Sequence, residues 1–251
     1  MPDAPRIVVL RRTGEPCASF ALDAGAAYVF GSGDCGQLGL GDEVYSAGRP
    51  RRNAFFSDKH VDHVAAGGLH TLALGHAAAG QPVVYAWGCN DEKALGCSPP
   101  EFEVGAVSAL AWGVPGGVLQ PGERVVQLAA GDSISAALTS LGAVYTWGTF
   151  RDSKGVLGHP GRAARTPLVP RRLAASQESP AKKAARLDST RPLSQPIGDE
   201  RPATPTVTLQ ETPVRLDALG AVRVVQVAAG ANHLLALSAD GALYAWGAGE
   251  A

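Results

Sequence analysis

Few residues in this chain have the type and spacing that chemistry requires. His60, Asp62 and His63 lie close together and mix imidazole with carboxylate, the donors of a metal site. On a strand, however, His60 and Asp62 share a face while His63 points away, and spacing places no further ligand; no metal is expected. The segment GSGDCG at residues 31–36 fits the dinucleotide pattern G-x-G-x-x-G. It follows a strand-like run but opens into QLGLGDE, which is no helix, so no helix N-terminus waits for a pyrophosphate and no cofactor is expected. Cys17, Cys35, Cys89 and Cys97 show neither zinc-type spacing nor CxxC and read as reduced thiols. Neither a Gly-x-Ser-x-Gly elbow nor a pair of catalytic carboxylates can be argued. Two polar segments remain. Asp132 follows Ala-Ala-Gly in AAGDS, where an aspartate bonding its own backbone is the plain reading. Residues 150–155, Phe-Arg-Asp-Ser-Lys-Gly, follow a strand-like run, and Gly155 permits a sharp bend. They form either a polar inter-strand loop or a protruding contact.

A repeat positions these segments. The 251 residues are 45% hydrophobic and 18% charged, with 31 glycines and a formal charge of −1, which gives no general pull toward nucleic acid or anionic membrane. One pattern fills residues 61–96 and 125–158, begins again at Val224, and has its closing half at residues 27–39. Ala-Ala-Gly ends at Gly67, Gly131 and Gly230, and an aromatic-Gly pair falls at Phe30-Gly31, Trp87-Gly88, Trp147-Gly148 and Trp246-Gly247. Runs such as RVVQLAAG and AVYTWG are short, rich in Val, Tyr and Trp and bounded by Gly, the signature of strands. TSLGAV and SADGAL read as hairpin turns with Gly142 and Gly241 at the tight position. Short antiparallel strands with a repeated aromatic-Gly landmark predict propeller blades, with Trp87, Trp147 and Trp246 packing between them.

The expected organisation is an N-terminal segment at 1–26, propeller repeats at 27–159, an insertion at 160–213 and a further repeat at 214–251. The insertion is rich in Pro, Ser, Thr and charge and reads as disordered. It contains PAKKAARLD, in which Lys182, Lys183 and Arg186 resemble a short nuclear-import signal and would make importin a partner. No apolar stretch approaches the roughly 20 residues needed to span a bilayer, so no membrane partner is expected.

The landmarks resemble the regulator of chromosome condensation repeat, and the chain is similar to members that promote nucleotide exchange on the small GTPase Ran. Three segments carry the closer resemblance: GSGDCGQLGLGDE at 31–43, WGCNDEKALG at 87–96 and WGTFRDSKGVLG at 147–158. The resemblance implies an all-β fold, a seven-bladed propeller of which about three to four four-stranded blades are present. It implies that Phe150, Arg151, Asp152, Ser153, Lys154 and Gly155 form a wedge against the GTPase, and that Asp132 lies on the rim facing it. Asn232 stands where the exchange factor has an aspartate, which keeps an acceptor and loses the charge. Asp34 and Asp91 occupy related loop positions. Where the family usually has His two places after Asp132, this chain has Ile134, while His70 and His233 keep the histidine in the other copies. Chromatin contact gains little from a tail whose only basic residues are Arg6, Arg11 and Arg12. The expected function is a non-covalent exchange factor in the nucleus; the alternative is a repeat-propeller scaffold of ubiquitin-ligase or signalling type without exchange activity.

Overall fold

The computed structural model describes backbone and side chains over residues 26–76, 82–97, 107, 119–150 and 209–247, and the strand course alone at 6–8, 11–12, 15–16, 19–23, 108–110, 151–152, 155–158 and 171–173. Four four-stranded antiparallel sheets dominate it. The second runs from Ser108–Leu110 at its outer edge through Pro82–Gly88 and His70–His76 to His60–Ala66. The third repeats the pattern with Val125–Ala130, Ile134–Thr139 and Val144–Gly148, and the fourth with Val224–Ala229, His233–Ser238 and Leu243–Gly247. Ala26–Ser32 and Ser46–Arg52 belong to the first. Helical structure among the described residues is limited to two short 3-10 turns, Ala54–Phe56 and Asp217–Leu219. The architecture is a partial β-propeller, as the repeat predicts.

Each sheet is too thin to bury apolar side chains alone, so the cores lie between sheets. Ala27, Val29 and Leu38 of the first pack with Val61, Val64, Tyr85 and Trp87 of the second. Leu72, Leu74 and Leu95 pack with Leu128, Ala137 and Trp147 of the third. Ile134, Leu138 and Val144 pack with Val227, Leu234 and Trp246 of the fourth. Each core contains the tryptophan of its later blade. Trp87 Nε1 donates to the Gln37 carbonyl at 2.8 Å and Trp147 Nε1 to that of Ala94 at 2.7 Å, so the indole that fills the gap also bonds the preceding blade's loop. The expected turns form too: Gly142 and Gly241 have φ of 81° and 82°, and their amides return to the Thr139 and Ser238 carbonyls.

Two boundaries differ from the sequence expectation. The first sheet includes Arg6–Val8 and Ser19–Asp23, so the N-terminal segment supplies strands to a blade. The outer strand of the third sheet is Gln210–Arg215, pairing Thr146 with Val214 and Tyr145 with Arg215, so the long interruption falls inside a blade rather than between two. Part of the interruption, Arg171–Leu173, pairs with Leu243–Gly247 at the outer edge of the fourth sheet. Outer strands carry charge and proline that discourage edge pairing, which is why QETPVR shows no strand pattern.

Candidate functional site

Antiparallel register fixes which loops share an end of the propeller. His70 pairs with Gly88, Ile134 with Gly148 and His233 with Gly247. The turn between the first and second strands of each blade therefore lies beside the loop leaving its third strand. Backbone bonds tie the two together: the Cys89 amide donates to the Leu69 carbonyl at 2.9 Å and the Thr149 amide to that of Ser133 at 2.8 Å. Blades are tied at the same level, Gly68 to Gly131 at 3.1 Å and Asp132 to the Ala231 carbonyl at 2.8 Å. A Cβ on Gly131 would stand 2.6 Å from the Gly230 carbonyl oxygen, which explains the glycine ending each Ala-Ala-Gly landmark.

This rim carries the residues singled out by sequence. Asp132 and Asn232 occupy equivalent turns of the third and fourth blades and are half-buried; the Asp132 amide bonds the residue preceding Asn232. Asp34 and Asp91 are exposed in the loops that leave the third strands of the first and second blades. Asp34 Oδ2 accepts from Ser32 Oγ at 2.9 Å, a turn role that leaves the carboxylate in water.

Within and beyond the 150–155 segment, the backbone is described at 150–152 and 155–158. Phe150–Asp152 pairs with Gly155–Gly158, joining Phe150 to Gly158, Arg151 to Val156 and Asp152 to Gly155 in a hairpin separate from the blades. Its base differs from the expectation. Phe150 is fully buried in the core between the third and fourth blades, and its ring lies against Gly247. Its aromatic side chain anchors the hairpin instead of facing a partner. Ser153 and Lys154 lie outside the described residues, as do the side chains of Arg151 and Asp152 and the cluster Lys182, Lys183 and Arg186.

A buried histidine supports the rim from below. His70 is inaccessible to solvent, and its Nε2 lies 2.7 Å from Ser135 Oγ, which donates to the Ala94 carbonyl at 2.7 Å. Burial holds its pKa down to about 4, with the Asp132 backbone opposing. The side chain thus links the second blade to the third directly beneath Asp132. Ile134, where the repeat otherwise has histidine, is fully buried and packs in the next core. Burial, with the neighbouring Asp91 contributing in both directions, raises the thiol of Cys89.

Two features escaped sequence reasoning. Lys93 has φ of 61° and pairs with Glu211 at 3.3 Å; its signal was lysine at a position where the repeat has glycine. Gln127 bonds both backbone groups of Val227, Nε2 to the carbonyl at 2.9 Å and Oε1 from the amide at 3.0 Å. The shared VVQ of residues 125–127 and 224–226 was the sign of that link. At the opposite rim, Asp62 meets His60 Nε2 at 3.2 Å and His76 Nδ1 at 3.1 Å, while His63 takes no part.

Comparison with known proteins agrees with this architecture. Residues 24–74 and 83–138 match one model of the regulator of chromosome condensation (RCC1) repeat, and residues 125–155 and 224–250 match a second. The chain is 34% identical to human regulator of chromosome condensation over 239 residues, covering 92% of this chain and 41% of that protein. It is 28% identical to guanine nucleotide exchange factor SRM1 of Saccharomyces cerevisiae, covering 89% of this chain and 42% of the relative. The solved structure of S. cerevisiae Prp20p, characterised for binding to Gsp1p and histones, superposes with a TM-score of 0.63 at 30% identity, covering 89% of this chain and 41% of that one. The chain thus spans less than half the length of these relatives. With its landmarks, sheet order and inter-blade tryptophans all following the repeat, it belongs to the regulator of chromosome condensation (RCC1) repeat family.

Proposed function

We propose that this chain supplies part of a guanine-nucleotide exchange platform for a Ran-type small GTPase. The observation that carries the reading is the gathering of Asp34, Asp91, Asp132, Asn232 and the 150–158 hairpin at one end of a rigid β stack. Exchange requires no bond chemistry. A GTPase holds its nucleotide through phosphate contacts from a Gly-rich loop, a lysine and Mg²⁺. A protein that binds the nucleotide-free form more tightly than the loaded form lowers nucleotide affinity by the same factor. A rigid platform with an anchored projection does this by competing for the room and charge around the phosphates.

In this reading the residues divide the work. Phe150 roots the hairpin in the core, Arg151, Asp152, Ser153 and Lys154 meet the GTPase, and Gly155 closes the bend. Asp132 contributes charge from the central turn, and Asn232 contributes an uncharged acceptor. The resemblance of the relatives supports the same class of activity, one being a nucleotide exchange factor and another having been tested against Gsp1p. Lys182, Lys183 and Arg186 fit importin recognition and nuclear residence.

The test is release of labelled GDP from Ran in the presence of this chain completed to seven blades. Release is expected to accelerate, and Asp132→Ala and Asp152→Ala are each expected to slow the accelerated rate by about tenfold, the size expected for a central contact. No acceleration by the completed, unaltered protein would favour the scaffold alternative.

A further inference from the structure

Lys93 stands where the repeat calls for glycine. The loops at 33–39 and 90–96 close by the same bonds: Gly36 amide to Gly33 carbonyl and Gly39 to Gly36 in one, Lys93 to Asn90 and Gly96 to Lys93 in the other. The left-handed backbone is shared as well, φ 73° at Gly36 and 61° at Lys93. GQLG at 36–39 and GVLG at 155–158 begin with glycine at this point, and KALG at 93–96 does not. Lys93 is the one non-glycine residue with positive φ among the described residues. A side chain there is disfavoured, and such backbone strain concentrates where a residue is kept for contact rather than for folding.

Its surroundings indicate which contact. Lys93 lies two residues from Asp91, and its ammonium reaches Glu211 Oε1 at 3.3 Å, the lysine side chain 22% exposed and the glutamate 52%. The loops at this end also carry Asp34, Asp42, Glu43, Glu92 and Asp132. Among their described side chains Lys93 is the only cation. An ion pair whose carboxylate stands half in water adds little to stability, so Glu211 alone does not account for the strain. One cation in an acidic field does define a docking register, because a partner complementary to the acids must place a carboxylate opposite it or meet repulsion.

We infer that Lys93 is a specificity-determining contact on the rim, exchanging Glu211 for a carboxylate of the bound GTPase. This rests on the GTPase reading above. The measurement is binding of nucleotide-free Ran to the full chain and to Lys93→Gly and Lys93→Glu, paired with thermal unfolding of each. Lys93→Gly should raise Tm by about 2–4 °C as the left-handed strain is relieved, and weaken Ran binding by about fivefold, the deficit shrinking in high salt. Lys93→Glu should bind more weakly still. Unaltered Ran binding by both variants, or a lower Tm for Lys93→Gly, would assign Lys93 to the fold and overturn the inference while leaving the GTPase reading intact. No binding by the unaltered chain would remove both.

Discussion

At the scale of single residues, His70 shows how a side chain far from any chemistry sets a condition on the whole fold. Its imidazole is held neutral by burial between two blades, with Nε2 2.7 Å from Ser135 Oγ. The pKa is about 4 in the fold against an ordinary 6.5. The folded state therefore binds fewer protons than the unfolded chain between these values. Stability is full above pH 6.5 and is lost as pH falls toward 4. By pH 5 the loss from this group is about 2 kcal/mol. Thermal unfolding between pH 7.5 and 5 should show a decline in Tm that is shallower in His70→Gln, where nothing titrates. An equal slope in the variant would place the sensitivity elsewhere. The residues offered to a partner are placed differently: Asp34 and Asp91 are exposed in loops.

At the scale of elements, the repeat can be used against itself. Gln127 caps both backbone groups of Val227, tying the first strand of one blade to that of the next. His63 occupies the same place in the second blade, one residue past the same bulge, yet its Nδ1 is buried with no hydrogen-bond partner among the described residues. His63→Gln should reproduce the paired bonds on Leu128, which aligns with Val227, and remove the orphaned nitrogen. A gain of about 1 kcal/mol is expected in denaturant unfolding; a loss would show that the second and third blades sit differently from the third and fourth. This equivalence was legible in the sequence, because inner strands are buried and carry their Val, Ala and Gly landmarks openly. Trp87 and Trp147 were read as inter-blade packers and are that. The outer strands were not legible, since solvated edges such as QETPVR have no apolar alternation to display. Nor was the fate of Phe150: an aromatic in a polar run suits a contact or an anchor equally, and only the core between the third and fourth blades decides for the anchor.

At the scale of the molecule, burial records how many neighbours each sheet has. Ile134–Thr139 of the third blade is buried at every position, as expected for a sheet covered on both faces. His233–Ser238 of the fourth alternates between buried Leu234, Ala236 and Ser238 and more exposed His233, Leu235 and Leu237. One face packs on the third blade and the other is only partly covered. Leu235, Leu237 and the partly exposed Leu243 and Ala245 lie on one face of paired strands, Leu235 opposite Ala245 and Leu237 opposite Leu243. Stacked repeats stay soluble when their outermost faces are polar, and this face is not. The isolated 251-residue chain should therefore self-associate in a concentration-dependent way through this sheet, seen as a rise in sedimentation coefficient over the micromolar range. Leu235→Lys and Leu237→Lys together should shift the distribution toward monomer without changing the far-ultraviolet spectrum, because neither residue contributes to the buried side. A chain that remains monomeric throughout would mean that the fourth blade's second face is already covered by residues of this same chain. The double variant would then unfold more readily, not merely dissociate.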